Sequence, residues 1–215
     1  MKSINWFITV ILLLPCNIRR GETCEVSESG FDGKTKTLIL DLHNKARQKV
    51  ANGQQIGQPS GGNIKELHWN EELAVAAQSW AETCADDHPP MEQKMTKSFQ
   101  YYGQNYYGGF TSEHPSKHVE LAMKMWFDEV KFLNPRTVSS YDGNSAVYGH
   151  YITIVWGETD SVGCGYVRWA TDQSIHIFCD YGPSNYYVGS PIYKVGPPAS
   201  KCKNGASTSY SGLCK

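Results

Sequence analysis

Nowhere in this sequence do apolar residues run on for the roughly 20 positions that a membrane-crossing helix needs. The best candidate, Ile4 to Leu14, is short and broken by Asn5 and Thr9. Charge is scarce too: 19% of the 215 residues are charged, and 20 Lys+Arg face 21 Asp+Glu for a net charge of -1. Lacking a basic surplus, the chain has no field with which to neutralise phosphates, which argues against a nucleic-acid binder. It is equally unlike an acidic disordered chain. There is no Asn-x-Ser/Thr sequon, so N-glycosylation is not expected. Neither a Gly-x-Ser-x-Gly elbow nor a His-Glu-x-x-His pair occurs, which removes two short signatures of hydrolytic chemistry. No internal repeat is visible.

What is present is a folding chain with a secretory start. Thirteen Tyr, six Trp and seven Phe are ample for a packed interior, and the length suits one substantial core. Lys2, the apolar run to Leu14, Pro15 and the pair Arg19-Arg20 read as a signal peptide over residues 1–20, cleaved between 16 and 21. The mature protein is expected outside the cell, without a membrane anchor. Cys16 leaves with that segment, and six cysteines remain: Cys24, Cys84, Cys164, Cys179, Cys202 and Cys214. An even number suits an oxidising compartment. Cys164 and Cys179 flank two strand-like runs about a turn at Thr171 to Ser174, which would set them opposite each other in a hairpin. Cys202 and Cys214 are close in a Gly, Ser and Lys-rich tail and are expected to pair there, leaving Cys24 for Cys84.

Leu38, Leu42, Ala46 and Val50 recur every four residues and mark a first amphipathic helix. Leu73, Ala77, Trp80 and Cys84 mark a second, with Asn70 placed to cap it and Glu71-Glu72 in its first turn. That reading puts Cys84 in the helix's last turn. Val119, Met123, Trp126 and Val130 mark a third, which stops at Asn134-Pro135. His114 and His118 are four apart around Pro115 and read as a solvated helix start. Beyond Pro135 the pattern alternates, so Tyr148 to Trp156, Val162 to Trp169 and Ser174 to Asp180 read as antiparallel strands. Helices followed by strands imply an α+β domain. Ala85 to Pro115 shows no period and reads as a long functional loop, in which Tyr101 to Phe110 would suit an aromatic wall.

Seven strings then stand in order: Leu42-His43-Asn44-Lys45-Ala46-Arg47, Leu67-His68-Trp69-Asn70-Glu71-Glu72-Leu73-Ala74, Gly103-Gln104-Asn105, Trp126-Phe127-Asp128-Glu129-Val130, Gly149-His150-Tyr151, Val162-Gly163-Cys164-Gly165 and Cys179-Asp180-Tyr181-Gly182-Pro183. Together they resemble the secreted CAP superfamily of cysteine-rich secretory, antigen 5 and pathogenesis-related proteins, most closely its arthropod antigen 5, or venom-allergen, branch. The likeness runs from about Lys34 to Tyr193. It implies a three-layer α-β-α sandwich with a central antiparallel sheet over residues 21–195, followed by a disulfide-closed tail, 196–215. It also implies a cleft holding two histidines and two acids, carried over here to His88, Gln104, Glu129 and His150. Gln104 departs from the glutamate common at its position. Thr153 replaces a usual glutamine, the stretch after Cys179 is one residue short, and Ala199 and Ser207 stand where related arthropod chains carry another cysteine pair.

The resemblance implies that His88 and His150, with Glu129 direct or through water, could bind Zn²⁺, though no cofactor is required. The competing reading of the same residues is a hydrogen-bonded polar cluster. Gln104 brings neither a charge nor a general base, which weakens both metal affinity and hydrolysis. Asn144-Ser145-Ala146 lacks any spacing that would activate the hydroxyl. The expectation is therefore a non-enzymatic venom or salivary effector that binds a sterol or fatty acid, or an extracellular protein of a host or prey. The alternative is a zinc-dependent or protease-type hydrolase.

Overall fold

The computed structural model describes residues 25–110 and 112–215; the expected signal segment with its cleavage point, and Cys24, lie outside these. Helix α1 (Gly33–Ala51) starts where the Asp32 carboxylate accepts the Thr35 N–H at 2.7 Å. The stripe expected to be buried is rotated. Leu38, Leu42 and Ala46 are only half-buried, whereas Ile39, His43, Asn44, Arg47, Val50 and Ala51 face the interior. Three polar side chains tolerate that burial because each is hydrogen-bonded. The His43 Nδ1–H donates to the Ile39 carbonyl at 2.7 Å, so its Nε2 accepts from the Tyr181 hydroxyl at 2.7 Å. Asn44 exchanges two bonds with the Leu67 backbone, and Arg47 donates to the carbonyls of Lys65, Ile154, Trp156 and Thr159.

Helix α2 (Glu71–Ala81) is capped by Asn70, which accepts the Leu73 N–H at 3.1 Å. It ends three residues before Cys84, so that cysteine lies beyond the helix and not in its last turn. Helix α3 (Pro115–Asp128) has His114 at its N-cap and Pro115 at its first position. His114 is exposed, as expected of a helix start, but His118 is 3% exposed and bonds the Tyr107 hydroxyl at 3.2 Å. Residues Tyr148 to Trp156 do not form the expected strand. They belong to helix α4 (Ser145–Val155), kinked at Tyr148. The run Tyr151 to Val155 is buried on every side, so it carries no helical period, and its backbone donors find an acceptor far away in sequence, Glu129.

Among the described residues, five strands complete the fold: β1 (Val26–Ser29), β2 (His68–Trp69), β3 (Gly103–Phe110), β4 (Ser161–Trp169) and β5 (Ser174–Gly182). Their order is β1-β4-β5-β3, all antiparallel, with β2 added in parallel to the start of β4. Strand β3 occupies the centre of what read as a loop; Gly103, Gly108 and Gly109 had masked it. In the β4–β5 hairpin Cys164 stands opposite Cys179 and is bonded to it. Helix α2 covers one face of the sheet, while α1, α3 and α4 pack on the other, giving an α-β-α sandwich. Contact on the α2 side is close: a Cβ on Gly163 would lie 2.2 Å from the Ala74 nitrogen, and one on Gly165 2.3 Å from that of Gln78. The tail is held by Cys202–Cys214 and by Cys214, whose N–H donates to Ile64 O and whose carbonyl accepts from Glu66 N. Cys84 is also disulfide-bonded.

Candidate functional site

Three of the four expected cleft residues line one hollow of about 490 Å³. His88 arrives on the loop after α2, which is pinned where the Trp80 indole donates to Asp87 O at 2.8 Å. Gln104 projects from β3, and His150 from the second segment of α4. Asn105 ties these two elements together by donating to His150 O at 3.1 Å. Lys94, Tyr101 and Ser145 complete the part of the wall that matters chemically.

The fourth residue, Glu129, does not line this hollow. Its carboxylate accepts from His150 Nδ1 at 2.6 Å, from His150 N at 2.9 Å and from Tyr151 N at 3.2 Å. It thus does for the kinked helix what an N-cap does, and at the same time fixes the imidazole, which also stacks on Trp126 with centroids 6.1 Å apart. Glu129 faces instead a shallow groove of about 180 Å³ on the other side of His150.

His88 is held differently. Its Nδ1 bonds Gln104 Oε1 at 2.8 Å, and the Gln104 amide nitrogen donates to Asp180 Oδ1 at 2.7 Å. Burial pushes the Asp180 carboxyl well above the usual carboxylate range, against the pull of the Gln104 bond and of Lys94. Burial likewise lowers His88, although the Gln104 bond opposes it, and lowers Lys94, which Asp180 and Asp87 pull upward. Asp180 and Lys94 escaped the reading of the sequence. A signal for Asp180 existed in the string after Cys179, but only the β3–β5 register, in which Gln104 pairs with Asp180, gives it meaning. Lys94 had no such signal.

The chemistry on offer is limited. Both rings use Nδ1 within the protein, and neither Nε2 has a protein partner among the described residues. No carboxylate lines the cleft. Ser145 does, yet no histidine is hydrogen-bonded to it among the described residues. Those residues likewise contain no group of three or more His, Cys, Asp or Glu placed to hold a metal ion. The implied zinc set of His88, His150 and Glu129 thus reduces to two imidazoles, because Glu129 is committed to His150 and the backbone.

A second hollow of about 560 Å³ adjoins the cleft and shares Tyr101 and Tyr186 with it; Met91, Phe99 and Tyr187 line its remainder. Of the expected aromatic wall only Tyr101 lines these two hollows, while Tyr106 and Tyr107 line the groove on the Glu129 side of His150. Tyr102 and Tyr107 are buried in the core, Tyr106 stacks on Phe178, and Phe110 is exposed elsewhere. Between α1 and α3 the space amounts to about 10 Å³. No helix among the described residues is long and apolar enough to cross a membrane.

Comparison with known proteins agrees with this architecture. Residues 40–181 match the model of the family described as CAP, cysteine-rich secretory protein family. Scoloptoxin SSD976 of Scolopendra dehaani is 46% identical over 204 residues, 95% of each chain. Venom allergen 5.02 of Dolichovespula maculata is 35% identical over 176 residues, 79% of this chain and 80% of its own. Among solved structures, that of NaASP2 with Zn²⁺ superposes with a TM-score of 0.73 at 28% identity, covering 86% of this chain and 97% of the other.

Proposed function

This chain belongs to the cysteine-rich secretory protein (CAP) family, and from that membership we propose a secreted venom protein of antigen 5 type that acts by binding an extracellular protein, not by turnover. Relatives that share most of the chain include venom toxins and allergens of arthropods. The observation that carries the binding reading is that, among the described residues, no hydroxyl or thiol is hydrogen-bonded to either cleft imidazole. Either imidazole could act as a base, but covalent catalysis also needs a nucleophile within hydrogen-bond reach of it. Glutamine stands where an acid would serve, and the one nearby glutamate is held by three N–H groups. What remains is a polar floor of two imidazole edges, an amide and an ammonium, flanked by tyrosines. That combination suits a protein interface, where tyrosine contributes large contact area at low entropic cost.

Two small-ligand readings have weaker support. A fatty acid or sterol seated between α1 and α3 finds about 10 Å³ there, and the hollow of about 560 Å³ beside the cleft, which is large enough, mixes Ser98, Gln100, Ser184 and Asn185 with its apolar lining. Zinc finds two imidazoles in place of the three protein ligands of an open catalytic site, so any metal held by this pair is an accessory ligand.

Two measurements test the proposal. A peptide library incubated with the purified protein, with and without added zinc, should remain uncut by mass spectrometry; cleavage lost in His150→Ala would overturn the non-enzymatic reading. Panels of receptor and channel ectodomains probed by surface plasmon resonance should yield a partner whose affinity falls at least about tenfold with Tyr101→Ala. Partners indifferent to both Tyr101→Ala and Lys94→Glu would exclude the cleft. Stoichiometric sterol or fatty acid in a solvent extract would replace the protein-binding reading.

A further inference from the structure

A third hollow shares no lining residue with the cleft. It measures about 80 Å³ and is walled by Lys65, Lys194, Lys201, Lys203 and Lys215, with Glu158 the one acid. Five of the chain's 20 basic residues therefore gather at one place in a molecule of net charge -1. Like charges held together repel, and a random scatter of surface lysines would avoid the cost. Neutralisation is incomplete. Lys65 bridges Asp160 at 3.2 Å and Glu158 at 3.8 Å, and Lys201 donates to Val195 O at 2.8 Å. Lys194, Lys203 and Lys215 are exposed and have no ion pair among the described residues. The five ammonium groups outnumber the carboxylates of Glu158 and Asp160 beside them.

The arrangement is preformed, because several distant segments are locked to make it. Gly62 N–H donates to Lys194 O at 2.7 Å, Lys201 N–H to Gly62 O at 2.8 Å, and Lys194 N–H to the Asn63 side chain at 2.6 Å. The Cys202–Cys214 disulfide and the bond from Lys215 N–H to Gly205 O fasten the remaining wall. Glu158 is held in place by Asn63, which donates to it at 2.9 Å. The backbone N–H groups of Lys203 and Asn204 have no acceptor among the described residues and add to the positive potential.

We infer that this hollow seats a sulfate group of a sulfated extracellular polysaccharide, with the surrounding lysines following the chain. Its volume matches one tetrahedral oxyanion, while exposed lysines around the rim suit a polyanion more than a single ion. A membrane is the poorer match: of the segments that build the hollow, only Val195 supplies an exposed large apolar side chain, too little for insertion. The inference is independent of the cleft and of what the cleft binds.

The test uses the intact secreted protein on immobilised heparin across a series of salt concentrations. Saturable binding is expected to weaken as salt rises, with a slope corresponding to about three ion contacts. The double variant K194Q/K203Q should lose about tenfold or more in affinity and lower that slope by about two. The control K45Q/K117Q removes the same charge from lysines that line no part of the hollow and should stay within twofold of the parent. Equal losses in both variants would reduce the effect to net charge and overturn the site, as would the absence of saturable binding. Tighter binding to phosphatidylserine vesicles than to heparin would overturn the polysaccharide assignment. Competition by free inorganic sulfate at millimolar concentration, weaker than that by heparin fragments, supports the extended site; sulfate displacing the protein as well as the fragments do would overturn it.

Discussion

Replacing Arg47 by methionine keeps most of the side chain's volume and removes its charge and donors. The guanidinium is fully buried and makes four hydrogen bonds to backbone carbonyls, at 2.7 Å to Lys65, Ile154 and Thr159 and 3.0 Å to Trp156. Burial lowers its pKa to about 9, so it is charged at neutral pH. Each bond from a charged donor is worth about 1.5–3 kcal/mol, which gives roughly 6–12 kcal/mol in all. Desolvating the cation takes back several kcal/mol. The net loss for Arg47→Met is then about 3–5 kcal/mol, a large share of the 5–15 kcal/mol that holds an ordinary domain together. Urea unfolding followed by tryptophan fluorescence should show the midpoint falling by roughly 2 M at a typical slope. Arg47→Lys should fall between the two proteins, because one ammonium cannot reach all four carbonyls. A methionine variant within about 1 kcal/mol of the parent would refute the reasoning, since it would mean that these carbonyls are satisfied without the arginine.

His43, buried and lowered to about 4 mainly by desolvation, makes stability depend on acid. The unfolded imidazole titrates near 6.5, so as pH falls the unfolded chain takes up the proton first; stability is complete above about pH 6.5 and declines by about 3 kcal/mol on the way to pH 4. Urea midpoints between pH 7.5 and 4 should decline less steeply in His43→Gln, and identical slopes would contradict the assignment. Gly165→Ala drives a methyl against the α2 backbone and should cost about 3 kcal/mol; a variant with unchanged thermal midpoint would show that α2 does not rest on β4 as described.

The parts of the fold legible in the sequence are those whose signals are local. Asn70 before Glu71-Glu72 announces α2, and the symmetry of Cys164 and Cys179 about one turn announces the β4–β5 hairpin. Helix α4 was hidden because Ile152-Thr153-Ile154-Val155 has the local preference of a strand, and the group that favours the helix, Glu129, is 21 residues away from His150. Strand β3 was hidden by its glycines. The buried face of α1 was misplaced by weighting leucines over His43, Asn44 and Arg47, each of which has a partner distant in sequence. Within the cleft, the resemblance supplied His88, Gln104, Glu129 and His150. It could not tell that Glu129 stands behind His150, or that Asp180 backs Gln104, because both depend on which side chains a neighbouring element has already engaged.

Strand β5 is buried along its whole length, and β4 everywhere but its two end residues. Antibodies and targets alike touch chiefly what is wrapped around this hairpin: the outer sides of the helices, the exposed parts of β1 and β3, the connecting loops and the tail. Recognition of the folded protein is therefore confined to that wrapping, and an immune serum raised against it leaves the interior unread.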